Sequence, residues 1–206
     1  MYWRILQKSY WETQAGKLQQ IAMTTTTPIP VIGGYRLDKF TSASFGKTKA
    51  SWEAQLAANK GAVFKSEYLM ILNYCSNCLD YAGNNGNSYT YGIFKGNNDE
   101  ADALIELVYQ KDGRKWLKLL NLHLCPTVDV SFQTQDIDIS QVSAIFGAAL
   151  AGTVYLTSTD HPTKVTKLYG RSGTLLSFLK GIGAYIQANV PAISVSVEGR
   201  WLVIRS

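Results

Sequence analysis

Residues 153–173 read TVYLTSTDHPTKVTKLYGRSG, and the way this stretch divides into elements decides the fold. Val154, Tyr155 and Leu156 have the β-branched and aromatic character of a strand. The Asp160-His161-Pro162 step interrupts it, and Pro162 suits the first turn of a helix, where its missing N–H costs no hydrogen bond. Val165, Leu168, Tyr169 and Ser172 then recur at helical spacing, with Lys164, Lys167 and Arg171 along the neighbouring stripe. The expected unit is therefore strand, turn, helix. A phenol and three cations near such a turn suit an anionic ligand whose reaction ends in a proton transfer. Plain packing of the tyrosine and a solvated basic stripe account for the same pattern.

Upstream, Asp138 or Ser140 caps a helix in which Val142, Ile145, Phe146 and Leu150 share a face, ending at Gly152. Before it runs an antiparallel meander: Tyr89 to Phe94, Ala103 to Gln110 and Trp116 to Cys125, joined by KGNNDEAD and by the Asp112-Gly113 hairpin signal, and stopped by Pro126. Further back, a strand through Tyr35 and Leu37 leads to two helices. The first is capped at Thr41 or Ser42, carries Trp52 and Leu56 and ends at Gly61. The second, about Val63 to Tyr81, has the stripe Tyr68, Ile71, Leu72, Cys75, Leu79 and closes at Gly83 to Ser88. Downstream, Leu175, Leu176, Leu179, Ile182 and Ile186 mark a long apolar-striped helix, continuous with the Tyr169 segment or kinked near Gly170 and Gly173, and the chain closes with a strand pair or a bent strand, Ile193 to Val197 and Trp201 to Ile204. The order is β-αα-βββ-α-β-α-β, an α/β class with a mixed, largely antiparallel sheet flanked by helices.

The 206 residues suit one domain, 31–206, preceded by an extension and a Thr/Pro linker over 1–30. No apolar run is long enough to cross a bilayer, and Arg4, Lys8 and Glu12 interrupt the N-terminus, so no membrane association and a cytoplasmic location are expected. A net charge of +5 favours phosphate-bearing partners without any nucleic-acid motif. The Cys75-x-x-Cys78 pair, with His123 and Cys125, adds up to four zinc ligands. The pair lies within an apolar helical stripe, however, whereas structural zinc pairs usually lie in turns, so buried thiols are expected and no metal site is assigned.

The element order, together with LLNLHLCP (Leu119 to Pro126) and LYGRSG (Leu168 to Gly173), resembles the GNAT superfamily of acyl-CoA-dependent N-acyltransferases. The first segment is similar to the family's fourth strand, whose backbone pairs with the pantetheine arm of coenzyme A, which implies contacts at Leu122 and Leu124. The second is similar to its L-Y-x-x-x-G element, which implies that Tyr169 donates a proton to the departing thiolate. The resemblance implies acetyl-CoA or another acyl-CoA as cofactor and a small-molecule or peptide amine as acceptor. It departs from the family at DISQVSAIFGAALAG, where the glycine-rich pyrophosphate loop Q/R-x-x-G-x-G/A is missing, and at Pro162 and Thr174, where the family commonly has asparagine and phenylalanine.

For such chemistry the acceptor ammonium needs a base. His123, on the strand beside the implied cleft, is the first candidate, since imidazole ordinarily titrates near neutral pH. Glu106 is the second, because a carboxylate among Leu104, Ile105, Leu107 and Val108 holds its proton more tightly. The amides and Ser140 at the Asp138 helix start, and the cations Lys164, Lys167 and Arg171, are the phosphate candidates. The alternative reading is a non-catalytic module that binds nucleic acid through this basic stripe and surface aromatics, or a protein partner through the Trp3 to Trp11 arm.

Overall fold

A computed structural model describes residues 29–58, 65–79, 87–129, 138–189 and 193–206. Most of the expected extension and linker, the Gly61 stop and the greater part of the Gly83 to Ser88 turn lie outside these residues. The elements are β1 (Val31–Ile32), β2 (Tyr35–Lys39), α1 (Ser42–Ala58), α2 (Lys65–Asn77), β3 (Ser88–Lys95), β4 (Ala101–Gln110), β5 (Trp116–Leu124), α3 (Ile139–Leu156), β6 (Val165–Tyr169), α4 (Gly173–Asn189), β7 (Ser194–Glu198) and β8 (Trp201–Arg205). The sheet runs β1-β2-β3-β4-β5-β6-β8-β7. Its registered pairs are antiparallel except β5 with β6, which is parallel. This is the mixed, mostly antiparallel sheet with flanking helices that the element order predicts; the expected first strand is a hairpin, β1–β2, and the chain closes with the pair β7–β8. Among the described residues no helix is long and apolar enough to cross a membrane.

Two units divide the chain. One comprises Val31–Val108 with Leu120–Gly152, the other Tyr109–Leu119 with Thr153–Ser206. In the first, Gly33 and Gly34 turn β1 into β2 at φ 56 and 81, a left-handed conformation that glycine adopts without strain. Thr41 caps α1: its Oγ1 accepts the Ser44 N–H at 3.0 Å while Ser44 Oγ accepts the Thr41 N–H at 2.9 Å. The helix therefore starts at Ser42, directly after this cap and five residues before the Lys47 to Asn59 stretch that the sequence marks as helical. Trp52, Leu72, Cys75 and Leu104 form the heart of this unit's core. Trp52 Nε1 donates to the Ala101 carbonyl at 2.9 Å, and Thr48 Oγ1 accepts the Ala101 N–H at 3.0 Å, so α1 is pinned to the start of β4 by polar as well as apolar contact.

α3 closes the unit through its glycines. A Cβ at Gly147 would lie 2.8 Å from Ile32 Cγ2, and one at Gly152 would lie 2.4 Å from Leu37 Cβ. Gly152→Ala should therefore cost about 1–3 kcal/mol through overpacking. Gly46→Ala, in the interior of α1 with nothing within 4 Å of the added carbon, should stabilise by roughly 0.5–1 kcal/mol. Urea unfolding checks both. An unchanged midpoint for Gly152→Ala would show that α3 does not need that close approach.

In the second unit β6 lies between β5 and β8, with Leu117 opposite Thr166 and Leu168 opposite Leu202. β7 and β8 turn at Gly199, φ 62. α4 packs so closely that a Cβ at Gly183 would come within 2.7 Å of Leu202 and 3.1 Å of Val195. Leu179, Ile182, Leu202 and Ile204 are buried there.

The stretch from Thr153 to Gly173 divides differently from the sequence reading. Val154, Tyr155 and Leu156 are the last turn of α3, not a strand. Gly152 serves close packing on Leu37 instead of stopping the helix, and tertiary burial overrides strand propensity. The helix ends where hydroxyls take up its last carbonyls, Thr157 Oγ1 to Val154 O at 2.6 Å and Ser158 Oγ to Tyr155 O at 2.8 Å. Pro162 opens no helix; its carbonyl accepts the Tyr109 hydroxyl at 3.0 Å. Val165–Tyr169 is a strand with Thr166 and Leu168 buried and Val165, Lys167 and Tyr169 half-buried. A buried threonine made a period of two look like helical spacing. Lys164 precedes the strand, Lys167 is inside it and Arg171 follows it, so the three do not form a stripe.

Candidate active site

The two candidate bases come together. β4 and β5 carry Glu106 and His123, and His123 Nε2 lies 2.7 Å from Glu106 Oε1. The side chains are only 14% and 13% exposed, which keeps the pair out of bulk dielectric and makes its hydrogen bond strong. A carboxylate only accepts, so Nε2 carries the hydrogen and donates, and Nδ1 is left as the lone-pair nitrogen. Asn121, two residues before His123 on β5, donates from Nδ2 to Glu106 Oε2 at 2.8 Å. Both carboxylate oxygens are thus engaged, and the carboxylate is fixed in the orientation that holds the imidazole.

His123 lines a cavity of about 310 Å³ whose walls are Glu67, Tyr68 and Ile71 of α2, Leu122, His123 and Leu124 of β5, Asp129, and Phe146 of α3. The volume is at the small end of ligand pockets, and the lining combines apolar walls with a few polar groups, the composition usual for such sites. Tyr68 is held by its place on the buried side of α2 with Leu72 and Cys75. Its hydroxyl donates to Asp129 Oδ2 at 2.7 Å, with the Leu124 carbonyl at 3.2 Å as a weaker second acceptor. Burial first, and then the Asp129 hydrogen bond and charge, push the phenol well above its ordinary range, so Tyr68 keeps its proton. A similar arrangement fixes Tyr35, whose hydroxyl donates to Asp102 Oδ2 at 2.9 Å and accepts from Gln141 Nε2 at 3.1 Å, tying α3 to the sheet.

Of the residues expected to hold the cofactor, Leu122 and Leu124 line this cavity. Ser140 is exposed in the first turn of α3. That turn is capped by Asp138, whose Oδ1 accepts the Gln141 N–H at 3.1 Å. A carboxylate therefore already takes up an amide at this helix start, and no residue from Ile139 to Val142 is a glycine. A diphosphate placed there would meet a resident negative charge and side chains where close backbone approach is needed, so these residues do not fit the pyrophosphate of coenzyme A. Lys164, Lys167, Arg171 and Tyr169 belong to the other unit. Tyr169 stands at the end of β6, not on the helix that the spacing of Val165, Leu168, Tyr169 and Ser172 predicts. Its ring centroid is 4.8 Å from that of Trp201, and the Arg200 guanidinium lies 5.8 Å from it.

Cys75, Cys78 and Cys125 are buried thiols, and burial pushes Cys75 up to about 12. Among the described residues no three potential metal ligands converge. Four polar members of the site escaped the sequence reading, Asn121, Tyr68, Asp129 and Glu67, as did the apolar walls Ile71 and Phe146. Asn121 left a trace, since it alternates with His123 on an otherwise apolar strand. Tyr68 left none, because its ring belongs to the apolar stripe and only its hydroxyl faces the site.

No family model and no curated protein matches the sequence. Among solved structures the chain is similar to the PaiA N-acetyltransferase of Thermoplasma acidophilum in complex with coenzyme A, 13% identical over 82% of this chain and 96% of that one, with a TM-score of 0.34. It is also similar to the PseH N-acetyltransferase of Campylobacter jejuni in complex with acetyl coenzyme A, 12% identical over 82% and 96%, TM-score 0.38. A third similar structure is apo FdhC, a nucleotide-linked sugar GNAT, 13% identical over 87% and 89%, TM-score 0.45. Along most of its length, then, the chain is similar to solved acetyltransferases and GNAT proteins.

Proposed function

We propose that the protein is a divergent GNAT member that transfers an acyl group from a thioester donor, an acyl-CoA, to an amine. The observation that carries this reading is the Asn121–Glu106–His123 chain ending at the wall of a cavity. A primary amine reaches such a site as an ammonium and becomes nucleophilic only after losing a proton. His123 takes that proton on Nδ1, and Glu106 compensates the positive charge that then spreads over the ring, as an orienting carboxylate and not as a second base. Asn121 keeps the carboxylate in register. Leu122, Leu124, Ile71 and Phe146 exclude water around the acceptor, while Tyr68, locked on Asp129, presents a fixed polar edge. The phosphates of the donor are not served by the start of α3.

The test is release of free thiol from acetyl-CoA in the presence of a panel of primary amines. The expected result is release that depends on the amine and yields an acetylated product in equal amount. Absence of amine-dependent release with every member of the panel overturns the reading.

A further inference from the structure

Outside this site, the second unit displays an arrangement that acyl transfer does not use. Leu117, Leu168, Leu202 and Ile204 are buried on one face of its sheet, and on the other Val203, opposite Lys167, is buried beneath longer side chains. The register puts Lys118 beside Lys167 and Tyr169 beside Trp201. With Trp116, these side chains share the other face, and all are half-buried at the surface. The Lys118 ammonium lies 3.9 Å from the Trp116 ring centroid and 5.0 Å from that of Trp201. Trp201 is followed by Tyr169 at 4.8 Å, and Tyr169 by Arg200 at 5.8 Å. The result is a row of ring, cation, ring, ring, cation across three strands.

The charges of this row are only partly balanced, since the Glu198 carboxylate feels the Lys167 ammonium at a distance. Glu198, on the adjoining strand, pairs with Arg205 at 2.5 Å. Among the described residues no carboxylate forms an ion pair with Lys118 or Lys167. Burial, and then the neighbouring Lys167 ammonium, lower the Lys118 pKa. Two like charges side by side among aromatic rings are stabilised by an anion that also has a flat face to stack.

We propose that this face binds single-stranded nucleic acid, with Lys118 and Lys167 on phosphates and Trp116, Tyr169 and Trp201 stacking on bases. Rings that are partly open to solvent select unpaired bases, because a duplex hides the faces that stack. The inference stands independently of acyl transfer.

The experiment titrates the full chain into a fluorescein-labelled thymidine oligomer of about fifteen nucleotides and follows anisotropy at several salt concentrations. Binding should weaken with salt by about 0.7 log units per log unit for each phosphate neutralised. The double variant Lys118→Gln, Lys167→Gln should lower that slope by roughly 1.4. Trp201→Ala should weaken binding by roughly 5- to 100-fold, and Trp201→Phe by much less, since a ring remains to stack. A duplex of the same sequence, heparin and adenosine monophosphate serve as competitors. Competition by heparin or duplex as strong as by unlabelled oligomer would reduce the face to a general polyanion surface and overturn the proposal. So would an unchanged slope in the lysine variant, unchanged affinity in Trp201→Ala, or equal competition by the mononucleotide.

Discussion

Trp52→Ala should lower the free energy of unfolding by about 3–5 kcal/mol, the range for deleting a large aromatic side chain from a closed core. Trp52 is 1% exposed, and its ring lies 5.9 Å from that of Tyr68 in an edge-on arrangement. The substitution removes the ring, opens a cavity next to Leu56 and Leu72, and leaves the Ala101 carbonyl without the Nε1 donor. Against a typical domain stability of about 5–15 kcal/mol, this leaves little margin. Chemical denaturation checks it, with Trp52→Phe as the milder companion that keeps most of the packing but not the donor. A loss below about 1 kcal/mol for Trp52→Ala would mean that α1 is not anchored through this residue. Because Tyr68 both packs on Trp52 and lines the cavity, damage here should also reach the site.

His123→Ala should reduce acyl transfer by about 10²–10⁴-fold, the usual contribution of a positioned acid–base group, while the thermal midpoint moves little by comparison. Imidazole added to the assay should restore part of the rate, because the variant leaves space beside Glu106 and lacks only the ring. Glu106→Gln should lower turnover with a smaller change in KM, since it removes the carboxylate that compensates the ring's charge without emptying the cavity. The comparison of turnover with imidazole present and absent checks the assignment. Full activity in His123→Ala would remove the histidine from proton transfer and leave the cavity as a binding site alone.

The middle of the chain was the most legible part. A strand face is a matter of parity, and a turn of even length at Asp112-Gly113 places Glu106, Asn121 and His123 on one face of the hairpin, where an odd-length turn would not. What the sequence did not reveal was how far the strands slide along each other. Cys125 N–H donates to the Asp102 carbonyl at 2.8 Å, a register that carries Glu106 to Asn121. The stretch around Thr153 was misread for one reason: both of its signals were ambiguous. Gly152 resembles a helix stop and is a packing glycine, and Val165, Leu168 and Tyr169 fit a helix until the buried Thr166 shows the alternation. The element order survived because one boundary error offset the next. The helical position expected for Tyr169 is a strand position instead, while the role the resemblance implies for it rests on the L-Y-x-x-x-G element. Asp138 was read correctly as a helix cap, yet the same capping is what makes the start of α3 a poor cradle for phosphate.

The sealed thiols have a consequence for handling and for redox behaviour. With Cys75, Cys78 and Cys125 all inside, the native surface offers no thiol to thiol-directed alkylating reagents or to mixed-disulfide exchange. Covalent dimers linked through cysteine would therefore come from molecules that have opened, and their appearance during storage would record the history of unfolding and not a native association.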